Sequence, residues 1–254
     1  MMRVLIPALV LAAAVCAALP ARADGLADLK AALARASAPS ALKARIELRL
    51  VRRQGEGKDA EEEQGVAALT AEDGARGVSL VFDRELVARI EAEKRARVRN
   101  PNSKTPTTSA LAELAPGDVL NLVSPAQALL RTMDKAVYKG ERPDTWQGRA
   151  ARVLSFQIPM STLAARELKY IKAFDSGLDV WIGADGVPLA SRMRQKRSGR
   201  AFVVVSFEAN FEESLAYGLA GERLVTLRRE FRGKASGAGE SDDTRIVTTL
   251  ALQP

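Results

Sequence analysis

Between residues 177 and 211 the chain alternates apolar runs with turn-forming punctuation, and few folds can use such a stretch. Two runs, 178–182 and 189–196, flank Gly183-Ala184-Asp185-Gly186. A third, AFVVVSFEANF over 201–211, follows Arg197-Ser198-Gly199-Arg200. Apolar or alternating segments bounded by Gly, Asp and Ser are the pattern of successive antiparallel strands. In these strands Trp181, Phe202 and Val204 stand against Val203, Val205 and Phe207, so apolar side chains emerge on both faces. A sheet wet on one face does not need that. Something must therefore cover the second side.

The remaining segments extend the pattern. Leu26, Leu29 and Leu33 recur at helical spacing over 25–36, and Pro39 closes that short helix. Leu42, Ala44, Ile46, Leu48 and Leu50 then alternate with Lys43, Arg45, Glu47, Arg49 and Val51, which predicts a half-buried strand. Residues 54–64 read as a charged hairpin loop, with further strands at 66–70 and 78–82. From 83 to 135 the chain turns helical: a charge-dense run to Arg99, a polar Pro-containing linker over 100–108, a helical turn over 109–115, and a helix opened by Ser124 as N-cap and Pro125. Strands are expected again at 136–139 and 149–158, with turns over 140–144 and at Gly148, and a short helix or irregular connection at 163–170. Strands at 214–219, 223–231 and 244–252 close the chain, the last preceded by a flexible loop over 233–243. The sum is an α+β fold: a curled antiparallel sheet of about ten strands, forming an incomplete barrel. An N-terminal helix and a helical insert at about 83–135 cover the concave face.

Residues 1–23 combine an early Arg3, an apolar run and Ala21-Arg22-Ala23 in the A-x-A spacing of a signal-peptidase site. They read as a signal peptide, leaving 24–254 as one domain that needs no disulfide at roughly 230 residues. A lipoprotein alternative requires modification of Cys16, where the bulky Val15 precedes it. Without Arg3 and Arg22 the net charge falls from +7 to +5. An exported basic protein is expected to meet anionic membrane or lipopolysaccharide surfaces rather than nucleic acid. Colloidal solubility accounts for the same charge.

Missing residue types exclude much chemistry. The chain has no histidine, and its one cysteine lies within 1–23. That removes the Ser-His-Asp triad, imidazole and thiolate metal ligands and a thiol nucleophile. Ser40-Ala41-Leu42-Lys43 fits S-x-x-K, but Ser40 leads into a strand, where residues three apart face opposite sides. Residues 233–236 (GKAS) lack the upstream glycine of a phosphate loop, and neither Asp242-Asp243 nor 61–63 has calcium-site spacing. The expectation is no catalytic residues, no metal and no cofactor. An enzyme built on carboxylates such as Asp179 or Glu208 stands third among the readings.

Candidate ligand contacts are apolar. Trp181, Phe202 and Val204 on the sheet, with Leu129, Leu130 and Met133 on the insert, can line a cavity under the curl, although core packing explains each one singly. Arg192, Arg194 and Lys196 share one face of a strand. They form either a stripe for phosphate or carboxylate head groups or the wet side of the sheet. Burying the three insert side chains is worth roughly 5–8 kcal/mol. An acyl chain of about ten carbons, at ~0.8 kcal/mol per CH₂, is worth about the same. A lid and a lipid tail can therefore compete.

The order of elements resembles the periplasmic lipoprotein-carrier superfamily of LolA and LolB. The likeness rests on the helix at 26–36, SPAQALLRTM (124–133), GRAARVLSFQIP (148–159) and LDVWIGADGVPLASRM (178–193). It implies a periplasmic protein that holds acyl chains or a lipidated partner, and the leading expectation is a non-enzymatic, monomeric carrier of such a hydrophobic ligand. The alternative is an envelope interaction or regulatory module whose core is packed. A lined, lidded hollow favours the first and a filled core the second.

Overall fold

The computed structural model describes residues 24–37, 40–201 and 205–253. The expected signal peptide over 1–23, Pro39, and the candidate lining residues Phe202 and Val204 lie outside the described residues. The helices are α1 (Gly25–Arg35), α2 (Arg84–Arg99), α3 (Pro106–Ala112), α4 (Pro116–Val123), α5 (Ala126–Lys135) and α6 (Ala165–Leu168). The strands are β1 (Leu42–Gln54), β2 (Glu61–Gly74), β3 (Gly77–Val81), β4 (Val137–Trp146), β5 (Arg149–Gln157), β6 (Ile171–Ile182), β7 (Pro188–Ala201), β8 (Val205–Ala220), β9 (Arg223–Gly237) and β10 (Glu240–Leu252).

All ten strands belong to one antiparallel sheet, ordered β3-β2-β1-β10-β9-β8-β7-β6-β5-β4. The sheet is open, with β3 and β4 as its edges. These edge strands are consecutive in the chain, so the segment joining them must travel the full width of the sheet. That segment is α2 to α5. Its route explains why the insert covers a face, and the curled α+β architecture is the one the sequence predicts.

Two apolar clusters fill the covered side. In the first, Ile46, Leu48, Leu50 and Leu69 pack against Leu86 of α2, Ala110 of α3 and Leu122 of α4. In the second, Leu29 and Leu33 of α1 and Leu129 and Met133 of α5 pack against Leu154, Val180 and Ile182. On β1 the burial alternates as the sequence predicts, with Leu42 to Leu50 inward.

Several expected boundaries are corrected, and most errors shortened strands. Residues 197–200 are not a turn, because β7 runs through them to Ala201. Nor are 140–144, which β4 crosses with a register shift between Tyr138 and Gly140. The reversal lies at Gln147-Gly148, both at positive φ, where the sequence predicts the turn at Gly148. The expected loop over 233–243 is largely paired strand, reversing at Ala238-Gly239 in the left-handed region that tight hairpins use. Strand β2 begins at Glu61 inside the expected charged loop, and 205–220 is one strand rather than two. Each misread segment is polar, which reads as a loop. Yet one face of this sheet is wet, and there charged side chains continue a strand and pair across it, as Lys234 does with Asp243 at 3.0 Å. The other error is at Ser124, which ends α4 rather than capping α5. Pro116 opens α4, a helix the sequence does not predict.

Candidate functional site

The covered face is not completely filled. A cavity of about 100 Å³ lies where Leu122, Pro125, Ala128 and Leu129 of the α4–α5 segment face Leu178, Ser191, Met193, Leu215, Tyr217 and Arg229 of the sheet. Alternation along β6, β7 and β8 brings these sheet residues to one side. In register, Leu178 stands beside Met193, Val180 beside Ser191, and Ser191 beside Leu215.

Two polar clusters border this cavity. The Tyr217 hydroxyl and Ser191 Oγ lie 2.8 Å apart, and burial pushes the Tyr217 phenol well above its ordinary range. Arg229, its side chain 13% exposed, donates from Nε to Glu213 Oε1 at 2.6 Å and sets Nη2 3.6 Å from Asp118 Oδ1 in the first turn of α4. Its Nη1 is buried with no hydrogen-bond partner among the described residues.

From the cavity the same face continues toward the hairpin tips. The register sets Glu213 beside Phe231, Phe211 beside Gly233, Ala209 beside Ala235, and Phe207 beside Gly237. Phe211 and Phe231 stack with centroids 6.0 Å apart, and the Arg197 guanidinium lies 4.8 Å over Phe211. Glu167 of α6 holds Arg197 at 3.4 Å. This floor of aromatics, alanines and glycines is apolar, and its phenylalanines are half-buried.

Of the predicted ligand contacts, Leu129 lines the cavity. Met133 and the half-buried Leu130 pack in the cluster beside it. Trp181, Arg192 and Arg194 fall on the opposite, convex face, because Trp181 and Asp179 alternate with Leu178 and Val180, and Arg192 and Arg194 with Ser191 and Met193. There Trp181 is covered by Trp146 at 5.6 Å, by the Arg192 guanidinium at 5.6 Å and by Val153 and Ala190. Its indole Nε1 donates to Asp144 at 3.0 Å. Arg194 pairs with Asp179 at 2.8 Å. The second apolar side of the central strands is thus covered locally by a tryptophan pair, and the arginines belong to the wet face.

Sequence reasoning missed Ser191, Glu213, Tyr217 and Arg229. A signal was present for two of them: Glu213 shares the strand parity of Phe211, and Arg229 that of Phe231, so each places a charge on an apolar face. Among the described residues no three acidic, histidine or cysteine side chains gather as a metal site, and no helix is long and apolar enough to cross a membrane. No model of a known protein family matches the chain, and no curated protein does.

Proposed function

We propose that this is a non-enzymatic periplasmic binding or carrier protein, exported by its N-terminal signal sequence. It holds an acyl chain or a lipidated or hydrophobic partner on the concave side of its sheet, with α5 as the gate. The observation that carries this reading is the cavity between α5 and the sheet, with the stacked Phe211 and Phe231 farther along the same face. At about 100 Å³ it is small beside typical ligand pockets of ~300–1,000 Å³. A whole chain therefore enters only if α5 lifts. The buried face of α5 is short, with Ala126, Leu129 and Met133 as its fully buried residues, and an acyl tail replaces that burial at about equal free energy.

The small volume is also the one observation that favours the second reading, an envelope interaction module with a packed core. Mass spectrometry of lipids extracted from protein purified out of the periplasm, together with uptake of an apolar fluorescent probe displaced by decyl-chain lipids, separates the two. Co-purified lipid or displaceable probe binding is expected. A protein that carries no lipid and takes up no probe is the packed module.

A further inference from the structure

The chemistry around Arg229 bears on the head of the ligand, and the following rests on the carrier reading. A guanidinium presents five donors in a fixed fork. Here Nε is used by Glu213, Nη2 faces Asp118 and the guanidinium lies 5.8 Å from the Phe231 ring, while Nη1 is buried without a hydrogen-bond partner among the described residues, on a side chain that borders the cavity. A buried charged donor left unpaired costs more than an average hydrogen bond returns, so it is a strong seat for an acceptor. Thr248, opposite Arg229 in the β9–β10 register, also has a buried hydroxyl with no partner among the described residues.

Charge decides which acceptor fits. One cation already faces two carboxylates, Glu213 on the sheet and Asp118 on α4, so the site as built is net negative. A carboxylate or phosphate head would meet like charge in a poorly hydrated place. A neutral carbonyl does not. The tail side is apolar, formed by Leu122, Leu129, Leu178 and Leu215. The geometry points to an uncharged acyl ester as the ligand, its carbonyl oxygen accepting from Arg229 Nη1 and its chain running beneath α5.

The test changes the ligand before it changes the protein. Binding of 1-monodecanoylglycerol is compared with 1-O-decylglycerol, which lacks the carbonyl, and with decanoate, which is charged. The ester is expected to bind at least about tenfold more tightly than the ether, equivalent to ~1.4 kcal/mol, and more tightly than decanoate. Arg229→Lys keeps a cation beside Glu213 but loses the fork. It should bring the ester-to-ether ratio close to one. Equal binding of ester and ether by the unaltered protein, or preference for decanoate, overturns the assignment and leaves the carrier reading standing. Failure of the protein to take up the ester, the ether and the apolar probe alike overturns both.

Discussion

Gly65 on β2 lets the backbone of α3 occupy the space where a side chain would stand: a Cβ there would come within 2.6 Å of the Pro106 carbonyl oxygen and 3.0 Å of the Ala110 amide nitrogen. Among the described residues no such close approach holds α5, whose polar fastenings run to α1 and to Ser37 just beyond it rather than to the sheet. They are an exposed Lys30–Asp134 pair at 3.4 Å and a bond from Gln127 to Ser37 at 3.1 Å. Between the two, α4 is pinned by polar bonds. Arg223, 4% exposed, donates to the Val123 and Ser40 carbonyls at 2.7 Å each and to Asp73, and Thr226 donates to the Asn121 carbonyl at 2.8 Å. Exposed pairs contribute little, whereas buried arginine bonds and backbone close approach are costly to lose. The covering helices are therefore fixed at α3 and α4 and loose at α5, and the cavity lies where the fixed α4 gives way to the loose α5.

Filling Gly65 is the strongest way to break that contrast. Gly65→Val forces α3 off β2 and is expected to cost about 3 kcal/mol, at the upper end for overpacking, read as a lower urea midpoint. Leu129→Ala acts at the loose end. It borders existing empty space, so the loss should be about 2–3 kcal/mol, the low end for a buried leucine. It also enlarges the cavity, so apolar probe uptake should rise while stability falls. If α5 were anchored as α3 is, uptake would not change.

Alternation made β1 and the two-sided strands around Trp181 legible, because a period of two needs only local residues. The roof was legible in its helical character but not in its parts. Leu129, Leu130 and Met133 are the plug that helical spacing makes visible, whereas Val119, Leu122 and Val123 of the unforeseen α4 are also buried. Assigning faces failed where parity depends on register. Trp181 and Arg192 are as apolar and as basic as any lining residue, and only the pairing of β6 with β7 turns them to the convex side. A similar limit hid Arg229. One bulge, between Ala216 and Tyr217 opposite β9, shifts which residues of that hairpin point inward.

The smallest effect tests the fixed end through pH. Glu93 on α2 accepts from the Thr107 and Thr108 amides at 2.7 and 2.9 Å and from the Thr108 hydroxyl at 2.8 Å, so it caps α3 from a neighbouring helix. Burial alone raises its carboxyl, but the bonds from Thr107 and Thr108 together outweigh it and hold the group below its ordinary value. A depressed carboxylate adds stability that is present above its unfolded pKa of ~4.3 and lost as pH falls through the lower folded value. Glu93→Gln should cost about 1 kcal/mol at neutral pH, the size of a typical N-cap. That difference should shrink as the medium is acidified below about pH 4, where the wild-type carboxyl takes up its proton. Paired urea titrations at the two pH values measure it. A cost that stays constant with pH would mean that shape rather than charge holds α3 to α2, leaving close approach at Gly65 as the main fastening of the fixed end.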